Sequence, residues 1–200
     1  VVERAIGIVA HRLLELLSLT TPLPDTPPAH FQAAAGFGLR AQGISGRQCE
    51  QGVERVMTMI RCTLQDPRGQ WILHQHPEAR SEWALLAPDV AQGTRKFVID
   101  RTFVAPPFDH SQGSRVADGS LTSKTTVPGT ARWIVDYKTS RPAPGESLDA
   151  FLMREADHYR GQLAGYQALL ATVDKPPIPV RVALYFPALP AWYEIKMSYE

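Results

Sequence analysis

The sequence is poor in cysteine. Cys49 and Cys62 are the only two in 200 residues and share one amphipathic stretch, so a cysteine-ligated zinc or iron–sulfur site and a disulfide framework are both excluded. A reducing, cytosolic setting is the expectation. The chain also lacks any run of about 18 apolar residues and any basic-then-apolar leader, so no membrane span or signal peptide is expected. Charge of one sign is missing too: Lys+Arg 21 against Asp+Glu 20 gives a net charge of +1. That excludes a polycation or an acidic tail, and confines any nucleic-acid contact to a local patch. Nothing matches G-x-x-x-x-G-K-[ST], so no P-loop ATP site is expected in this segment. What is present is 44% hydrophobic residues, enough for a buried core and a single domain over 1–200. The chain opens Val1-Val2-Glu3, without methionine and already in helical pattern, which reads as a piece of something longer.

From Val2 to Leu19 the apolar residues recur at spacings of three and four, through Ile6, Val9, Leu13 and Leu17, one helix face. A proline-rich linker follows through Pro28, then a short glycine-interrupted helix over His30 to Gln42. Ser45 with Gln48 has the form of a capping box for a second long helix, which Asp66-Pro67-Arg68-Gly69 ends. The period then becomes two. Ser81 to Leu86, Arg95 to Val104 and Arg132 to Thr139 read as three sequential strands, with Ala105 to Thr130 as a long, mobile hairpin insertion. A helix over Leu148 to Ala171 leads to strands at Val180 to Phe186 and Trp192 to Ile195. The order predicts an α/β domain with a mixed sheet, because a crossover helix implies at least one parallel pairing.

Candidate chemistry concentrates at strand ends. In Trp133-Ile134-Val135-Asp136-Tyr137-Lys138-Thr139, alternation sets Asp136 and Lys138 on one face at the end of an apolar strand, a costly place for charge. A salt bridge would be the ordinary explanation. On the preceding strand Asp100 ends the apolar run Phe97-Val98-Ile99, and Glu82 lies within the strand before that. Acids on neighbouring strands can converge on a hard divalent cation such as Mg²⁺. In the first helix Gly7 stands one turn before His11 at a cost of about 1 kcal/mol, which leaves that side open for close approach. Gln162 and Tyr166, at i and i+4 on the crossover helix, can reach the same group. His74 and His76, two apart with no cysteine nearby, read as surface histidines rather than zinc ligands.

In this order, Gly7-x-x-x-His11, Glu82, Ile99-Asp100-Arg101, Ile134-Val135-Asp136-Tyr137-Lys138-Thr139 and Gln162-Leu163-x-x-Tyr166 resemble the motif set of the PD-(D/E)XK nucleases. Within them the likeness is to the C-terminal nuclease domain of bacterial RecB and AddA helicase-nucleases. The resemblance implies a restriction-endonuclease-like mixed β-sheet flanked by helices, and Mg²⁺-dependent DNA hydrolysis with Mn²⁺ able to substitute. It implies His11, Asp100, Asp136 and the Tyr137 carbonyl as metal ligands, Lys138 as the catalytic lysine, and Glu82 as an aid to the metal site. Gln162 and Tyr166 would position DNA, with Arg101 and Arg160 as further phosphate contacts.

The implied setting is resection of DNA ends in double-strand-break repair, in the bacterial cytoplasm. There the helicase domains of the same parent chain, and a partner subunit, would accompany this domain. Branches carrying an iron–sulfur cluster are set aside, since two cysteines cannot hold one. The rival readings are a non-catalytic DNA-binding or interaction module that kept the fold, and a freestanding phage-type exonuclease.

Overall fold

The computed structural model describes residues 1–89, 93–109, 128–171 and 174–196. Most of the segment expected as a mobile insertion, 110–127, therefore lies outside the described residues. The chain divides into two compact units. The first comprises Val1–Gln75, Tyr137–Arg141 and Tyr185–Ala191; the second comprises His76–Asp136, Pro142–Leu184 and the chain from Trp192.

The first unit holds four helices: α1 (Val2–Ser18), α2 (His30–Ala41), α3 (Gly46–Gln65) and α4 (Pro67–Leu73). Their apolar faces make its core. Ile6, Val9, Leu13 and Leu17 of α1, Phe31 and Leu39 of α2, and Val56, Ile60 and Leu64 of α3 are all buried. Each such side chain contributes roughly 1.5–3 kcal/mol relative to exposure. A bidentate pair from Arg55 to Glu3, with both contacts at 2.6 Å, ties α3 to α1 at the surface. At Gly38 the helices approach closely, since a Cβ there would lie 2.9 Å from Cγ2 of Val9.

Two features depart from expectation. Ser45 does precede α3, but its side chain accepts no hydrogen bond from the helix, and Gly46 follows it at φ 54. The capping box is not made. Asp66-Pro67, expected only to stop α3, also starts α4, with proline at the helix start where its missing N–H is no loss. The Asp66 carboxylate accepts from the amides of Arg68 at 3.2 Å and Gly69 at 3.1 Å, and from the Tyr185 hydroxyl at 2.8 Å. Burial, then the neighbouring Asp66 charge, push that phenol far above its ordinary pKa.

The strands are β1 (Arg80–Asp89), β2 (Gly93–Ala105), β3 (Ala131–Tyr137), β4 (Val180–Phe186) and β5 (Ala191–Ile195), with α5 (Leu148–Leu170) between β3 and β4. They form one five-stranded sheet in chain order. β1 with β2 and β2 with β3 are antiparallel. The Arg132 amide donates to the Pro179 carbonyl at 2.8 Å, and the Lys138 amide to Tyr185 at 2.9 Å. Partners thus advance together along both segments, which is parallel pairing across the α5 crossover. The fold is α/β with a mixed sheet, as the element order predicts.

His76, expected at the surface, is half-buried. Its ring stacks on Phe103 with centroids 4.4 Å apart, because the chain entering β1 passes over that aromatic.

Candidate metal centre

In the second unit, three of the expected acids come from three adjacent strands. Pairing of β2 with β3 runs from Ala105–Ala131 to Arg101–Val135, and Asp100 and Asp136 are the next residue on each strand. Pairing of β1 with β2 brackets Glu82 between Ser81–Arg101 and Trp83–Ile99, level with Asp100. One carboxylate oxygen of Glu82 lies within 4.8 Å of one of Asp100. Asp136 is only 3% exposed, whereas Glu82 and Asp100 are half-buried. Like charges at this range repel, and a shared cation is the ordinary remedy.

Glu82 has a further peculiarity. Its φ is 47, the left-handed region, inside an otherwise extended strand. For a residue with a Cβ such backbone costs on the order of 1–3 kcal/mol. Nothing in the sequence signals it, since glutamate has no preference for that conformation.

Tyr166 joins α5 to this acid-bearing region. Its hydroxyl donates to the Val98 carbonyl at 2.9 Å and accepts from the Gln162 amide at 2.7 Å. Burial raises the phenol's pKa, the Gln162 hydrogen bond lowers it, and the charges of Asp136 and Asp100 raise it again. Tyr166 therefore stays a neutral donor. The predicted i, i+4 pair is formed, and its anchor on β2 lies two residues from Asp100.

In the first unit, His11 Nε2 lies 3.0 Å from the Tyr137 carbonyl oxygen, and the two rings meet edge to face at 5.8 Å. In one tautomer Nε2–H donates to that oxygen. The spacing is equally that of neighbouring ligands on an octahedral ion bound at 2.0–2.1 Å, which sit about 3 Å apart. Within this unit, imidazole nitrogen and peptide carbonyl are donor types that Mn²⁺ and Mg²⁺ accept. At Gly7 a Cβ would lie 3.3 Å from Thr139 Oγ1, so the missing side chain lets α1 come close to the residue after Lys138. Lys138 is half-buried, its amide held by Tyr185.

The two arginines fall differently. Arg101, expected as a phosphate contact, is 1% exposed; its guanidinium donates to Ser81 Oγ at 3.2 Å and lies over the Phe103 ring. It alternates with Asp100 along β2 and is a packing group. Arg160 is exposed on α5, pairs with Asp157 at 2.9 Å and donates to the Lys196 carbonyl at 3.4 Å. Among the described residues no helix is long and apolar enough to cross a membrane.

No known protein family matches this chain, and no curated protein matches it. The class established by the fold is mixed α/β.

Proposed function

We propose that the chain is a Mg²⁺-dependent deoxyribonuclease domain, hydrolysing phosphodiesters in DNA end resection as part of an ATP-driven helicase-nuclease. The observation that carries this reading is the meeting of Glu82, Asp100 and Asp136 at one level of three adjacent strands. The ordered motif resemblance adds His11 and the Tyr137 carbonyl to the ligand set.

Bound by these groups, Mg²⁺ would lower the pKa of a water and offset charge on the scissile phosphate. Asp100 and Asp136 would hold it with negative charge, and Glu82 would add a third carboxylate able to accept the water's proton. Lys138 lends a positive charge to the developing phosphorane oxygens and a donor to orient the attacking water. The water's oxygen would bond to phosphorus as the bond to the leaving oxygen breaks, its proton passing to Glu82 and the leaving oxygen taking a proton from solvent. Tyr166 and Gln162 act by positioning β2.

The test is degradation of linear DNA by the chain with Mg²⁺, with Mn²⁺ and with EDTA, beside Asp136→Asn. Cleavage with either metal, abolished by EDTA and by the variant, supports the reading. Absence of any metal-dependent cleavage sinks it.

A further inference from the structure

Beyond its pairs with β3, β2 continues toward Gly93 with β1 as its partner, so β1 and β2 form a hairpin arm leading away from Glu82 and Asp100. The arm is unusual in its surface. Arg95, exposed, lies with its guanidinium carbon 5.0 Å from the centroid of the half-buried Phe97 ring. Phe97 is braced in turn by Tyr166, edge to face at 5.8 Å, and by close approach to Gly165 of α5. Arg80, also exposed, lies 4.5 Å over Trp83 in the same way. The pairs Trp83–Ile99 and Leu85–Phe97 make the two aromatic residues diagonal neighbours on one face, roughly 7–8 Å apart.

A guanidinium laid on an aromatic ring loses little further freedom when it binds. Its planar edge still presents the forked donors that match phosphate oxygens. Two such groups on one hairpin, Arg95 along the arm and Arg80 at its base opposite Thr102, form discrete anion forks rather than diffuse charge, in a chain whose net charge is only +1. Five residues of strand place Arg95 about 17 Å from Asp100, a span of a few nucleotides.

We propose that the β1–β2 arm is a phosphate grip for a DNA strand, with Arg95 on Phe97 and Arg80 on Trp83 as its two clamps. The strand would lie along the hairpin face that carries Phe97 and Trp83. This rests on the nuclease reading for the identity of the ligand as DNA, though not for the existence of the grip.

The experiment uses the whole chain and a fluorescein-labelled oligodeoxythymidylate, read by anisotropy in EDTA across a range of NaCl concentrations. Arg95→Ala and Arg80→Ala should each weaken binding about tenfold and reduce the salt slope by about one. Arg95→Lys keeps the charge without the planar fork, and should weaken binding several-fold at an unchanged slope. Lys96→Ala removes the same charge from the next residue, on the other face, and should change affinity less than twofold. Thermal melts of the four variants matching the parent confirm that each is folded.

Parental affinity in both alanine variants overturns the grip, as does an equal loss in Lys96→Ala, or a parent that binds no DNA. Cleavage with Mg²⁺ is read separately. An Arg95-dependent binder that does not cleave upholds the grip and sinks the nuclease reading, whereas a nuclease indifferent to Arg95 and Arg80 does the reverse.

Discussion

The phenol of Tyr166 donates to the backbone carbonyl of Val98, 2.9 Å away, and so fixes α5 to the strand that carries Asp100 two residues later. Replacing that phenol by phenylalanine removes a partly buried hydrogen bond worth about 1 kcal/mol. Tyr166→Phe should therefore lower the melting temperature by roughly 2–4 °C. With DNA, the loss should fall on kcat more than on KM if the tyrosine only positions β2. An unchanged melt would show that the bond contributes nothing.

Asp136 and Lys138 have separable tasks in the proposed mechanism. Asp136→Ala should lose Mn²⁺ affinity and cleavage together, because a carboxylate ligand has gone. Lys138→Ala should keep Mn²⁺ affinity while single-turnover cleavage falls by roughly 100-fold or more. Calorimetry and rapid-quench assays on both variants check this, and near-parental cleavage by Lys138→Ala would refute the assignment.

Glu82 predicts a trade between stability and activity. Glycine tolerates φ 47 without strain, and Glu82→Gly also removes a carboxylate close to Asp100. The variant should melt no lower than the parent in EDTA, despite losing a strand side chain, and should gain less stability from added Mn²⁺. A markedly lower melt in EDTA would mean that Glu82 is held by packing rather than strained.

Asp66 should matter to the stability of the first unit. Asp66→Ala removes an N-cap from α4 and leaves the buried Tyr185 hydroxyl without its acceptor, together roughly 2–4 kcal/mol. Denaturant unfolding measures it. Asp66→Asn, which retains an acceptor, should recover most of the loss.

The loop before α5 carries a pH signature. The Arg154 guanidinium, followed by the Ala143 amide, holds the Glu146 carboxyl down to about 2. A depressed carboxyl contributes its stability above its unfolded pKa, and this is lost as pH falls through the folded value. The Ala143 amide should thus stay hydrogen-bonded until the pH drops from about 4.5 toward 2. An NMR titration of Glu146 with a midpoint at its ordinary value would contradict the pairing.

Much of the fold was legible because its signals are periodic. Spacings of three and four marked α1, α3 and α5, and alternation marked β1 to β3, since burial on one face imposes those repeats. α4 was missed because a seven-residue helix has too few turns to show a period, although Asp66-Pro67 carried its start signal. At the candidate site, sequence order could name Glu82, Asp100 and Asp136, while their common level depends on strand register, which turns and packing decide. Arg101 misled because a charged residue beside a site acid reads as exposed, yet alternation turns it to the buried face. The left-handed turn at Glu82 and the Val98 carbonyl as anchor for Tyr166 belong to the backbone, which leaves no trace in residue type.

The contact between Gly38 and Val9 reaches beyond packing, because it links what two positions can become. With Val9 5% exposed and branched at Cβ, a methyl group added at residue 38 has nowhere to go unless residue 9 shrinks. Alanine at position 38 alone should be rejected in a random library, and accepted where position 9 is also alanine. Selection would then read the two sites as a single unit of fixed volume, divided between two helices.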